Sequence, residues 1–178
     1  MMTLFEYDFW ATKRILAAGA NVSHGQFLAP TAHSHGSLRG TLVHIPDGEY
    51  GWRMLCQHNT FSPDLAETEF PTFDLLERRW RDEEVAMRDY LASLNDDDLT
   101  RMVRYTTDSG EKRERVLWHC LLHVVNHGTQ HRSEAAAILT GYRQSPGDID
   151  FTLFLNEKGW NGGSENGEEE SDEIGGLK

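Results

Sequence analysis

The sequence predicts an all-α protein, a four-helix bundle with a short hairpin-like excursion before its last long helix. Four segments repeat their apolar residues at three- and four-residue steps, the spacing of one face of an α-helix. The connections between them collect the glycines, prolines and small polar residues that stop helices. A length of 178 residues suits one domain with a single buried core. Residues 1–160 are expected to form the bundle and 161–178 a disordered acidic tail.

The first helix is LFEYDFWATKRILAA, residues 4–18, where Leu4, Tyr7, Trp10, Ala11, Arg14, Ile15 and Ala18 share a mostly apolar face. Gly19 and the stretch NVSHGQFLAPTAHSHGS break the pattern, and Ser37 is placed to cap the second helix, LRGTLVHIPDGEYGWRMLCQ. There Leu38, Leu42, Ile45, Glu49, Trp52 and Leu55 or Cys56 recur at helical intervals, with a kink expected at Pro46. After the extended HNTFSPDLAETEFPTF, Thr72 or Asp74 caps a third helix running through Leu75, Trp80, Val85, Met87, Leu91 and Leu94 to NDDDL. RMVRYTTDSGEKRER alternates and turns at DSGE, a hairpin pattern. The longest periodic segment, Val116 to Leu139, ends at Gly141, and DIDFTLFLNEK carries enough apolar residues to pack back on the bundle.

The formal charge is −12, of which the tail's six acids and one lysine carry −5. An acidic chain whose basic clusters, ERRWR and EKRER, are interleaved with acids lacks the stripe that grips phosphates, so no nucleic-acid partner is expected. Cys56 and Cys120 make no disulfide framework and read as buried free thiols. The segment MMTLFEYDFWATKR carries Glu6 and Asp8 before its first basic residue and does not read as a signal peptide. No run approaches the roughly 20 apolar residues of a membrane span. A cytoplasmic protein without a membrane partner is the expectation.

In HCLLHVVNHGTQHRSE, His119, His123, His127 and His131 stand at one four-residue interval. Each step turns the helix by about 40° and advances it by about 6 Å, so neighbours share a face. Across the whole row the drift is about 120° and the rise about 18 Å, too far for one mononuclear centre, so only an adjacent pair can chelate one ion. A third ligand has to come from elsewhere, and His44, on the apolar stripe of the second helix, is available. One histidine on an apolar face is ordinarily a core or boundary residue. Burying several imidazoles together, however, requires a compensating ion or a hydrogen-bond network. The block HGTQH lacks the glutamate of H-E-x-x-H, which excludes an ordinary zinc metalloprotease helix.

YDFWATKRIL, LVHIPDGEYGW and LLHVVNHGTQHRSE, in that order and with the hairpin before the last, resemble the DinB family of damage-inducible four-helix-bundle metalloproteins over about residues 3–157. The resemblance implies His44, His127 and His131 as metal ligands, a divalent transition metal such as nickel or zinc, and a homodimer. Ser133 and Glu134 stand where the family pattern has Gly-Gln, and Thr12 where it has Asn; the ligand set is intact. Asp47, one turn beyond His44, is a candidate to orient an imidazole. His123 and Glu134 are candidates for a supporting contact or a fourth ligand. The loop histidines His24, His33 and His35 read as polar filler, the alternative being that HSHG binds a metal loosely.

Three functional expectations follow. An open three-histidine site suits a metal-dependent enzyme acting on a small molecule, a transferase working with a low-molecular-weight thiol before a hydrolase, because no glutamate stands at the position expected of the base. A shell closed by a fourth protein ligand suits a non-catalytic, stress-related metal-binding or dimeric interaction protein. A metal-free core, the third possibility, predicts that His44→Leu is neutral or stabilising.

Overall fold

The architecture is a bundle of four long helices, seen in a computed structural model that describes residues 1–107 and 109–160. The expected acidic tail, 161–178, lies outside the described residues. The helices are α1 (Met2–Gly19), α2 (His24–Leu28), α3 (Leu38–His58), α4 (Phe73–Ala92), α5 (Leu117–Gly141) and α6 (Phe151–Glu157), with strands β1 (Met102–Thr106) and β2 (Lys112–Val116) between α4 and α5. The four expected helices are α1, α3, α4 and α5, and the expected hairpin is β1–β2, antiparallel from Met102↔Val116 to Thr106↔Lys112.

The start of α3 is set by Ser37, whose hydroxyl accepts from the Gly40 N–H at 2.9 Å. Pro46 does not end this helix, which runs on to His58. A proline removes the N–H that would bond the carbonyl four residues back. Here that carbonyl, Leu42 O, accepts instead from the indole Nε1 of Trp80 at 3.0 Å, so α4 supplies the donor that α3 lacks.

Several expectations need correction. Beyond the predicted stripe, α1 also buries Phe5, Asp8, Phe9, Thr12 and Leu16, because it is covered on a second side: Tyr7 and Trp10 pack on Phe154 of α6 with ring centroids 5.9 and 5.7 Å apart. On α4 the inward face is Leu76, Trp80, Glu83, Met87, Tyr90 and Leu91, whereas Leu75 and Val85 face solvent. Thr72 occupies the N-cap position of α4 without a side-chain cap bond. The glycine- and proline-rich stretch after α1 contains α2, held by a capping box in which Ser23 and Gln26 bond each other's backbone.

Of the interhelical contacts, α3 with α5 is the most extensive. The two helices run antiparallel, as successive rungs show: His44 meets His131 with ring centroids 4.6 Å apart, Gly48 meets His127, and Trp52 meets His123 at 4.9 Å. Cys56 and Cys120 come together one rung further on, both buried and free.

Candidate metal centre

His127 and His131 lie one turn apart on α5 and face His44 on α3. The Nε2 atoms of His44 and His127 are 2.9 Å apart, and the His127 and His131 rings are 4.6 Å apart. Two nitrogens bound to one ion at about 2.0–2.1 Å, at roughly a right angle, stand at about this separation. The His44–His127 pair therefore has the nitrogen spacing of two ligands of one ion, whereas the three-histidine group whose ligand atoms all come together consists of His35, His44 and His131, without His127.

His131 has a second partner that fixes its tautomer. Its Nδ1 lies 3.0 Å from Oε2 of Glu134, and since a carboxylate only accepts, Nδ1 is the donor and Nε2 is the nitrogen left for a metal. The hydrogen bond from His131 holds Glu134 below the usual carboxylate range. Asp47 does not take this part. Its Oδ1 accepts from the Leu65 N–H at 2.7 Å and so anchors the chain that follows α3. Glu134, which departs from the family pattern, holds the imidazole instead.

His35 is brought to the centre, contrary to its reading as filler. The loop that carries it is closed by a bridge between Pro30 and Ser37 and turns at Gly36, with φ +69°. It is tied to α5 by the Ser34 hydroxyl, which donates to Glu134 at 2.9 Å. His35 thereby stacks on His44, centroids 3.9 Å apart. One ring nitrogen from each of His35, His44 and His131 falls within 4.8 Å of the others. The only sequence signal was HSHG immediately before the Ser37 cap.

His123 and His119 stay outside. His123 is exposed, edges onto Trp52 and lies 5.8 Å from His127 between centroids. His119 is also exposed, against Trp118, and shares a surface pocket with Tyr105 and Arg115 of the hairpin.

Burial, followed by the fields of His35 and His131, lowers His44 from 6.5 to about 4. Burial, followed by the fields of His44 and His131, lowers His127 to about 3. Both rings are consequently neutral at pH 7, the state in which imidazole binds a metal. Behind the centre, Arg132 is fully buried and pairs with Asp8 of α1 at 2.6 Å. A Cβ at Gly128 would come within 2.6 Å of that guanidinium and 2.9 Å of the Asp8 carboxylate, so only glycine leaves room for the pair.

Sequence comparisons show the family. The DinB family profile matches residues 1–167. Protein DinB of Bacillus subtilis (strain 168) is 26% identical over 165 residues, covering 86% of this chain and 94% of that protein. The helical bundle, the order of its motifs and this match along nearly the whole chain lead to one conclusion: the chain belongs to the DinB family.

Proposed function

We propose that the protein holds one divalent transition metal, nickel or zinc, on His44, His127 and His131, and that it is a metal-dependent enzyme acting with a low-molecular-weight thiol. The observation that carries this reading is the approach of the His44 and His127 Nε2 atoms to 2.9 Å, with the His131 Nε2 freed by Glu134. A bound metal supplies a Lewis acid that makes a small thiol or a water molecule acidic at neutral pH. The chain's own contribution is to keep His44 and His127 neutral and to hold His131 in line with them. Glu134 holds the Nδ1 proton of His131, and the Ser34 tether positions the loop bearing His35. Thiol transfer is preferred to hydrolysis because Gly128 follows His127 where a metalloprotease helix has its glutamate base.

Elemental analysis of protein purified without an immobilised-metal column tests the centre. About one equivalent of metal in the wild type, lost in His127→Ala, is the expected result; no metal in either, and none taken up when added, refutes it. With cobalt as the metal, a sulfur-to-metal absorption band on adding a small thiol supports the transferase, and its absence with metal bound argues for hydrolysis.

The stacking of His35 on His44 favours a second reading, in which a fourth imidazole closes the shell and the protein binds metal without catalysis. Under that reading His35→Ala strongly weakens metal binding; under the first, affinity is largely kept. The proposal includes a homodimer, supported by Trp118 and Leu122, 41% and 40% exposed one turn apart on α5.

A further inference from the structure

A second concave feature lies away from the histidines. A cavity of about 180 Å³ opens between α1, α3 and α4, and none of its lining residues is a histidine. Its walls are largely apolar, from Phe9, Leu16, Pro46 and Trp80. Glu49 of α3 also lines it, only 6% exposed, and its Oε1 has no hydrogen-bond partner among the described residues.

The surrounding charges make Glu49 the exception. Three acids are buried here: Asp8, Glu49 and Glu83. Asp8 has Arg132 at 2.6 Å, and Glu83 has Arg53 at 2.5 Å and Arg79 at 3.1 Å. The arginines around Glu49 thus have their ion pairs with other carboxylates, Arg132 keeping a buried Nε without a hydrogen-bond partner among the described residues. A carboxyl left unpaired in an apolar wall is costly unless it is protonated or meets a ligand cation. Burial, then the fields of Asp8 and Glu83, push the Glu49 carboxyl well above the usual range.

We propose that this cavity binds a small organic ammonium ion with an aromatic or branched aliphatic body, the ammonium pairing with Glu49 and the body packing between Phe9, Leu16 and Trp80. An apolar cavity of about 150 Å³ accepts benzene, so 180 Å³ holds a ring of that size with a short ammonium arm. At the mouth, Arg81 is paired with Glu77 at 2.7 Å, and Lys13 is exposed, its charge screened by water. The Thr12 hydroxyl, also in the wall, offers a further acceptor.

The proton balance gives the proposal a specific signature. Under the proposal the ligand arrives as R–NH₃⁺ and meets Glu49 as the neutral acid. Formation of the ion pair sends the Glu49 proton to solvent, one proton per ligand bound.

Titration calorimetry with phenethylammonium chloride, in buffers of different ionisation enthalpy, tests this on the full chain. Saturable one-to-one binding is expected, with release of about one proton and at least tenfold preference over neutral phenylethanol. Glu49→Gln should lose both preference and proton release while remaining folded, since a neutral amide replaces an unpaired buried acid. Ala17→Phe, at the exposed rim, should block binding with Glu49 intact, which covers the case in which Glu49→Gln fails to fold. No binding at millimolar ligand, equal binding of phenylethanol, or unchanged binding to a folded Glu49→Gln overturns the proposal. It stands apart from the metal centre, because neither variant should alter metal content.

Discussion

Gly48 provides the most direct test of His127. A Cβ built on Gly48 lies 2.7 Å from His127 Cε1 and 3.0 Å from Nδ1, whereas ordinary contact begins near 3.4 Å. In Gly48→Ala the ring must therefore yield by roughly 0.7 Å. That exceeds the tolerance of about 0.2 Å on metal–ligand distances, and disturbing the support of a metal ligand typically costs about 10–100-fold in affinity. Gly51, one turn further on the same helix, has nothing within 4 Å of its Cβ position. Gly51→Ala should thus show the helix effect alone, a gain of about 0.5–1 kcal/mol without change in metal affinity. Zinc or nickel affinity is read by competition with a chromophoric chelator, and stability by denaturant melts of the metal-free forms. Wild-type affinity in Gly48→Ala would remove His127 from the ligand set. An equal loss in Gly51→Ala would show that the helix, not the imidazole, had been perturbed.

Two further predictions address pH and packing. With the metal removed, the protein should lose stability on going from pH 7 to 4.5: His44 and His127 take up protons near 6.5 when unfolded but only at about 4 and 3 when folded, so the unfolded state binds more protons across that window and stability falls with pH. Discounted for partial exposure and for repulsion shared between the rings, the loss attributable to the pair is about 2 kcal/mol; urea melts of His44→Asn/His127→Asn should show a shallower pH slope, and an unchanged slope would contradict the assignment. At the α3–α4 contact, Trp80→Phe should cost about 1–3 kcal/mol by stranding the Leu42 carbonyl. In a Pro46→Ala background the restored helical N–H should recover part of that cost, and purely additive effects in a double-mutant cycle would refute the link.

Much of the bundle was legible because period alone places α1, α3, α4 and α5, and alternation with DSGE places the hairpin. The differences arise where a distant partner decides. Phe5, Phe9 and Leu16 are buried because α6 and the bundle interior cover different sides of α1, which no local period reveals. His35 reaches the centre because a bridge from Pro30 to Ser37 and a hydrogen bond from Ser34 to Glu134, a hundred residues away, hold its loop. Asp47 stood at a suitable spacing from His44, yet its carboxylate was taken by the Leu65 N–H.

The histidine row shows where helical spacing stops being informative. On α5 alone, His119, His123, His127 and His131 are equivalent, and their spacing allows any adjacent pair to chelate. The residues on α3 make the selection. Antiparallel packing sets His44 against His131, which supplies a third imidazole, and Gly48 against His127, which supplies the space for one. Trp52 against His123 fills the next rung with an indole and leaves that imidazole at the surface. The pair in the proposed centre is therefore singled out by His44, Gly48 and Trp52 at four-residue steps, a pattern on the other helix that acquires meaning only once the α3–α5 register is known. It follows that relocating the centre by one turn would take changes on α3, a glycine at Trp52 and a histidine at Gly48, and none on α5.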